Sequence, residues 1–141
     1  METEKTDKMM RHISMKTAGR TPVYPAEQMR GTSAVLVPLI RQDRELYLLY
    51  EKRASTLDHQ PGEICFPGGR MEPGETASQT AVREACEELL ISESQIHILG
   101  KMDGVMGPSG APVWPVIAEL TDYDGTFSTD EVSMTFTVLV T

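Results

Sequence analysis

Residues 69–91 read Gly-Arg-Met-Glu-Pro-Gly-Glu-Thr-Ala-Ser-Gln-Thr-Ala-Val-Arg-Glu-Ala-Cys-Glu-Glu-Leu-Leu-Ile and contain the most informative pattern of the chain. If it is helical, Glu87 lies about 60° to one side of Glu84 and Glu88 about 40° to the other, so three carboxylates share one face. The opposite face carries apolar side chains at helical spacing, at Val82, Ala85, Cys86 and Leu89. The pattern predicts a helix over residues 75–90 that packs through its apolar face and presents its acids to solvent.

This row of acids is electrostatically unfavourable by itself. Like charges four residues apart repel, and acids near the C-terminus of a helix oppose the helix dipole. A hard divalent cation with oxygen ligands would offset the repulsion, so Glu84, Glu87 and Glu88 are predicted metal ligands. Oxygen ligands suit Mg²⁺ or Mn²⁺ better than Zn²⁺. The alternative is a solvated acidic face that binds nothing.

The composition is that of one globular domain, with 141 residues, 40% hydrophobic and 24% charged. A net charge of −8 argues against nucleic-acid and anionic-membrane partners. The longest apolar run, residues 34–40, is too short to cross a bilayer, and no secretory signal is expected. Cys65 and Cys86 are expected to be reduced core residues of a cytoplasmic protein.

The order of elements predicts a mixed β-sheet with a helix packed on it. Alternating or continuous apolar runs predict strands at residues 33–40, 45–52, 63–66, 96–102, 113–120 and 134–140. Residues 1–30 are interpreted as an N-terminal arm, with breakers at Gly19, Pro22 and Pro25, and residues 31–141 as the domain. Residues 1–20 are polar and expected to be loose, and a second covering helix is either in the arm or missing.

The acidic helix belongs to a longer pattern that resembles the Nudix box, G-x5-E-x7-R-E-U-x-E-E-x-G-U. The defining positions that match are Gly69, Glu75, Arg83, Glu84, Glu87 and Glu88. The resemblance implies an α/β/α sandwich and metal-dependent hydrolysis of a nucleoside diphosphate linked to another group. Leu90 stands where the family usually has glycine, so we expect the helix to end differently and the following loop to shift.

Each matched residue has a candidate role. Gly69 allows close approach of the backbone and offers its carbonyl as a metal ligand. Arg83 either orients the acids through an ion pair or forms a surface pair with Glu87. Glu75 is either a weak ligand or a favourable acid in the first helical turn. Glu87 and Glu131 are the candidates for the general base that activates water.

Residues 48–69 carry a second resemblance, to the L-L-T-x-R-S-A-x3-R-x3-G-x3-F-P-G-G pattern of coenzyme A pyrophosphatases. The matching positions are Leu48, Leu49, Ala54, Gly62, Phe66, Pro67, Gly68 and Gly69. Lys52 replaces the first arginine, with Arg53 beside it, and Asp58 replaces the second. The resemblance implies hydrolysis of coenzyme A to adenosine 3′,5′-bisphosphate and 4′-phosphopantetheine. Those enzymes usually continue further, so the domain is expected to be truncated at its C-terminus.

Several assignments stay open at this point. Lys52, Arg53 and Arg70 are either cations for substrate phosphates or exposed solubilising residues. Trp114 and Tyr123 either stack on an adenine or belong to the core. The altered basic positions favour ADP-ribose or another nucleotide sugar as the alternative substrate, and a non-catalytic nucleotide-binding module is a further alternative. A homodimer is left open.

Overall fold

The computed structural model describes residues 2–17, 32–107 and 110–140. Two helices, α1 (Glu2–Thr17) and α2 (Ala77–Leu89), lie within these ranges, with a short 3-10 turn at Glu93–Gln95. The strands are β1 (Ser33–Gln42), β2 (Glu45–Arg53), β3 (Ile64–Cys65), β4 (Gly68–Arg70), β5 (Ile96–Lys101), β6 (Val105–Met106), β7 (Pro112–Leu120) and β8 (Val132–Val140).

The strands form one mixed sheet whose main order is β3-β2-β1-β7-β5. Strands β1 and β7 are parallel, and the other pairs are antiparallel. Strand β8 pairs with β2, β4 with β1, and β6 with β7. The predicted mixed sheet is therefore confirmed, with β1 at the middle of this order and beneath the acidic helix.

The sheet is covered by a helix on each face. Alternation along β1 places Ala34 and Leu36 in the core that α2 covers, and Leu39 in the core that α1 covers. The α1 side also buries Met10 and Ile117. This arrangement confirms the α/β/α sandwich.

Helix α1 is tied to the sheet at both ends. The Thr6 hydroxyl donates to the carbonyl of Arg44 at 2.7 Å. The Thr17 hydroxyl donates to the carbonyl of Ile13 at 2.8 Å, and its oxygen also lies 3.3 Å from the carbonyl oxygen of Leu99. Arg41 pairs with Asp7 between them. The expectation of a loose segment is therefore wrong for residues 2–17, and the second covering helix lies in the arm. The breakers between residues 18 and 30 lie outside the described residues.

All six predicted strands are present, with shifts of about one or two residues at most ends. The short strands β4 and β6 were not predicted, because three and two residues carry too little periodicity. Cys65 and Cys86 are unpaired and half-buried. Neither helix of the described ranges combines the length and the apolar character needed to cross a membrane.

Candidate active site

Helix α2 is fixed at its start and along its apolar face. Thr76 accepts a hydrogen bond from the Gln79 N–H at 3.2 Å, and the Gln79 side chain accepts one from the Thr76 N–H at 2.9 Å. This capping box satisfies two backbone donors and begins the helix at residue 77 rather than 75. Ala81, Ala85 and Leu89 are fully buried against the sheet. The helix therefore presents its acids in a fixed direction.

Arg83 joins the loop before the helix to the acidic face. Its Nε and Nη2 donate to both oxygens of Glu75 at 2.8 and 3.0 Å, and its Nη1 donates to Glu84 at 2.9 Å. The contact with Glu87 is longer, at 3.7 Å. The geometry supports the orienting role for Arg83, and it makes Glu75 the anchor of that arginine. This ion pair lowers the pKa of Glu75 to about 2.

Three carboxylates converge beside the helix. Each of the three residues Glu84, Glu88 and Glu131 has one carboxylate oxygen that lies within 4.8 Å of such an oxygen in the other two. Glu131 comes from the segment before β8, which is tied down by a hydrogen bond from the Ala54 N–H to its carbonyl at 2.9 Å. A second bond, from the Ser128 N–H to the Glu88 carbonyl at 2.8 Å, holds the same segment against the helix. We call Glu84, Glu88 and Glu131 the carboxylate cluster.

Burial differs sharply among the acids. Glu88 is 2% exposed, so the expected solvent-exposed face is wrong for this residue. The Glu84 side chain is 17% exposed, whereas that of Glu87 is 56% exposed. Glu87 lies outside the carboxylate cluster, and Glu131 takes the third place in it.

Two glycines allow the backbone of β4 to approach these acids. The Gly68 N–H donates to Oε2 of Glu88 at 3.0 Å. A Cβ at Gly69 would lie 2.6 Å from Cδ of Glu84, so any side chain there would displace that carboxylate. Residue 69 must therefore lack a side chain to leave room for the Glu84 carboxylate. This requirement is separate from the metal-ligand role that the sequence predicts for the Gly69 carbonyl.

The structure adds an acid that the sequence analysis did not select. Glu51 of β2 is 1% exposed, burial raises its pKa, and its negative charge raises the pKa of Glu88. The thiol of Cys65 is 3.8 Å from Oε1 of Glu51. The signal was present, because Glu51 follows the buried Leu49 by two residues and strand alternation places both on one face.

Burial governs the electrostatics of the site. It raises the pKa of Glu88 well above the ordinary value, and the adjacent acids Glu51 and Glu84 raise it further. Burial also raises the pKa of Glu84, against the lowering effect of Arg83. The pKa of Cys65 rises to about 12 for the same reason, which keeps this thiol neutral. The crowded acids therefore require either protons or a cation.

The residues present fit a hard divalent cation. The donor set consists of carboxylate oxygens, and Oε2 of Glu51 is buried without a hydrogen-bond donor among the described residues. A cation at the carboxylate cluster would reduce the repulsion that burial intensifies. Glu84, Glu88 and Glu131 are the side chains that could hold it.

Comparison with known proteins assigns the family. The sequence model of the NUDIX domain matches residues 29–139. The chain belongs to the Nudix family. Nudix hydrolases generally use divalent metal ions, which agrees with the donor set of the carboxylate cluster.

Two curated relatives extend this comparison. Nudix hydrolase 3 of Caenorhabditis elegans is 30% identical over 138 residues, which are 94% of this chain and 58% of the relative. The peroxisomal coenzyme A diphosphatase NUDT7 of Mus musculus is 36% identical over 107 residues, which are 74% of this chain and 45% of the relative. The chain thus spans about half the length of these relatives.

A solved structure shows the same fold. The Ap4A hydrolase of C. elegans, in a binary complex, superposes with a TM-score of 0.63 at 23% identity, covering 74% of this chain and 77% of that one. The fold expected from the Nudix box is confirmed.

The Nudix helix ends in the usual conformation despite its leucine. Leu90 has φ 56° and ψ 49°, which is the left-handed region, and its N–H donates to the carbonyl of Cys86. The expectation that the helix ends differently is therefore wrong. Leu90 adopts the strained conformation that glycine adopts without strain, with its side chain 59% exposed.

A groove of about 400 Å³ opens beside the Nudix glycines Gly68 and Gly69. Arg53 lines it and is held by two hydrogen bonds from its guanidinium to the carbonyl of His59, at 3.1 and 3.3 Å. Apolar side chains form another part of its wall, and three of them are more than half exposed: Ile64, Val105 and Met106. A second hollow that shares Gly69 is lined by Arg70, His59 and Gln60.

The remaining predicted residues are placed as follows. Lys52 is exposed and points to the opposite side of β2 from Glu51, and it lines neither hollow. Asp58 is also exposed. Trp114 is 4% exposed within the core, and Tyr123 packs against that core from a half-buried position. Both aromatic residues are therefore core side chains.

Proposed function

We propose that this Nudix chain hydrolyses the diphosphate bond of coenzyme A or its thioesters with Mg²⁺ or Mn²⁺. The observation that carries the metal-dependent reaction is the carboxylate cluster of Glu84, Glu88 and Glu131 beside the groove at Gly69. A bound divalent ion supplies charge neutralisation at the diphosphate and lowers the pKa of water. Arg83 holds Glu84 in place, and the Gly69 carbonyl is a further candidate ligand.

The proposed reaction is addition of water across the P–O–P bridge. The water oxygen bonds to one phosphorus, the bridging P–O bond breaks, and the released proton passes to a base. Glu87 is the proposed base, because its exposed carboxylate lies outside the carboxylate cluster. Exchange of Glu87 for Gln should lower kcat while leaving Mn²⁺ affinity unchanged; equal losses in both would instead make Glu87 a ligand.

Two observations support coenzyme A. The relative NUDT7, named a coenzyme A diphosphatase, is 36% identical over 107 residues. The groove combines the cation Arg53 with the exposed apolar side chains of Ile64 and Met106. This combination suits a substrate with phosphates and a long, weakly polar arm. Arg70 lies in the neighbouring hollow and is the second candidate for phosphate contact.

The altered basic positions, Lys52 and Asp58, favour ADP-ribose as a second candidate. Lys52 points away from the groove, and the acid Asp58 occupies a position that is basic in the coenzyme A pattern. A cytoplasmic location remains our prediction, whereas the name of one relative places that relative in peroxisomes. The question of a homodimer stays open.

A substrate panel with product identification tests the assignment. Coenzyme A, acetyl-coenzyme A, ADP-ribose, NADH and diadenosine polyphosphates are compared at equal Mg²⁺ concentration. We expect coenzyme A or its thioester to have the highest kcat/KM and to give adenosine 3′,5′-bisphosphate. A clear preference for ADP-ribose would show that the coenzyme A assignment is wrong, although the reaction would still be hydrolysis of a diphosphate. No turnover of any of these substrates would contradict the proposed reaction itself.

A further inference from the structure

Gln60 lies at the border between the two hollows of the site. Among the described residues, the groove of about 400 Å³ and the neighbouring hollow of about 590 Å³ share Ser33, Gln60 and Gly69 as lining residues. Glycine has no side chain and serine has a short one, so Gln60 brings the longest polar side chain to this border. A substrate that occupies both hollows therefore passes beside Gln60.

The backbone of Gln60 has an unfavourable conformation. Its φ is 51°, in the left-handed region that residues with a Cβ rarely adopt. Pro61 follows it, and a residue before proline favours an extended conformation instead. Strained backbone persists only where the surrounding structure imposes it, and it is concentrated at functional sites. A requirement for the position of the Gln60 side chain accounts for this strain.

Arg53 holds the loop that carries Gln60. Its backbone N–H donates to the carbonyl of Glu63 at 2.8 Å, which closes the base of the loop. Its guanidinium reaches across the loop and donates to the carbonyl of His59 at 3.1 and 3.3 Å. The residue directly before Gln60 is thus fixed, so the position of the Gln60 side chain is set before a substrate binds.

The side-chain amide of Gln60 is free to bind a ligand. It makes no hydrogen bond within residues 2–17, 32–107 and 110–140, although the residue is partly buried. A carboxamide presents an N–H donor and a C=O acceptor side by side, so another amide group matches it. The pantetheine arm of coenzyme A contains amide groups, whereas ADP-ribose carries a ribose in place of that arm.

We propose that Gln60 determines specificity for coenzyme A by hydrogen-bonding an amide group of the pantetheine arm. Its place at the border fits this role, because Arg70 in one hollow suits a phosphate, and Ile64 and Met106 in the groove suit the weakly polar arm. This inference rests on the proposed function, since it requires coenzyme A or a thioester as the substrate.

The test is steady-state hydrolysis by the full chain, with thermal unfolding of each variant alongside. Gln60→Met keeps the length of the side chain and removes both hydrogen-bonding groups. The KM for coenzyme A should rise about three- to tenfold with kcat unchanged, because the lost hydrogen bond lies away from the reacting atoms. The KM for ADP-ribose, or its inhibition constant if it is not hydrolysed, should stay within about twofold of wild type.

Two glycine variants separate recognition from folding. Gln60→Gly relieves the backbone strain, so it should be at least as stable as wild type and still show the rise in KM for coenzyme A. Asp43→Gly is the matched control, because Asp43 is exposed and also has φ 51° but lies in the turn between β1 and β2, at the opposite end of β1 from Ser33. It should likewise be at least as stable as wild type and leave both KM values unchanged.

Each outcome has a distinct meaning. An unchanged KM for coenzyme A in Gln60→Met, or an equal rise for both substrates, would overturn the specificity role and leave the proposed function intact. A loss of stability in Gln60→Gly that accompanies the rise in KM would assign a structural role to Gln60 and overturn the inference. Failure of wild type to hydrolyse coenzyme A would overturn the coenzyme A assignment together with this inference.

Discussion

Arg83 and Glu75 form a two-pronged ion pair, with Nε 2.8 Å from Oε2 and Nη2 3.0 Å from Oε1. The same guanidinium donates to Glu84 through Nη1 at 2.9 Å. Glu75, in the loop before α2, therefore fixes the position of Arg83. Arg83 in turn fixes the position of Glu84 in the carboxylate cluster. The spacing of Glu75 and Arg83 in the Nudix box is explained by this chain of contacts.

Removal of the arginine should impair the site more than the fold. In Arg83→Gln, Glu84 loses its fixed partner, so kcat/KM should fall by about 10- to 100-fold. The unfolding free energy should change by about 1 kcal/mol or less, because the side chain is 27% exposed. Arg41→Gln is the matched control, since Arg41 also joins two acids but lies on the α1 side. Equal activity in the two variants would contradict the orienting role.

A methyl group at Gly69 should disturb the metal site directly. In Gly69→Ala the new Cβ would lie 2.6 Å from the Glu84 carboxyl carbon, so that side chain must move. We expect Mn²⁺ affinity, measured by titration, to fall by about tenfold or more.

Gly74→Ala, in the loop that follows β4, controls for the general effect of a glycine exchange near the site. Gly74 has φ +85°, so alanine strains the backbone there, but nothing lies within 4 Å of the new Cβ. Stability should fall and Mn²⁺ affinity should remain. Unchanged Mn²⁺ affinity in Gly69→Ala would contradict the prediction, because Glu84 could then move without effect on the metal site.

Replacement of Leu90, the residue with left-handed backbone conformation at the end of α2, should stabilise the protein. Leu90→Gly relieves the φ 56° conformation of an exposed side chain and should raise the unfolding free energy by about 1 kcal/mol. Urea unfolding measures the change. Leu90→Ala keeps a Cβ and should give no such gain; equal stability of the glycine and alanine variants would argue against strain at this position.

Stability of the metal-free protein should depend on pH through Glu88. Burial raises the folded-state pKa of Glu88 above 4.5, so the folded protein retains a proton that the unfolded chain loses. Its stabilising contribution is therefore complete below pH 4.5 and is lost as the pH rises above that value. Glu75 acts oppositely, because its lowered pKa of about 2 makes its contribution fade as the pH falls below 4.5.

The measurement compares wild type with Glu88→Gln in EDTA. Between about pH 5 and about pH 8, the unfolding free energy of wild type should decrease relative to the variant. Saturating Mn²⁺ should reverse the trend in wild type only, because deprotonated ligands bind the ion. Parallel curves for the two metal-free proteins would show that Glu88 is not the group responsible.

The mixed sheet and helix α2 were predictable because their signals are local. Strands β1 and β7 are long apolar segments, and α2 has a regular apolar stripe with a capping residue at Thr76. Helix α1 was not predictable in the same way. It buries Met10 within a largely polar segment, so docking on the sheet rather than its own pattern stabilises it.

As a group of candidate metal ligands, the site was predictable only where one helix carries it, and Glu131 was selected only as a candidate base. Glu84 and Glu88 follow from the Nudix box, whereas Glu131 joins them because β8 returns beside β2. Glu51 enters through the register of β2, and its burial depends on strands that are distant in sequence. Helical angles alone could not predict that Glu87 is exposed and Glu88 is buried.

We propose that Glu84, Glu88 and Glu131 together bind a divalent cation. Anomalous scattering from crystals soaked in Mn²⁺ would locate that ion. We predict an anomalous peak within coordination distance of carboxylate oxygens from all three residues, which is lost in Glu84→Gln crystals. Well-ordered crystals with no peak there, or a peak that persists unchanged in Glu84→Gln, would contradict the account.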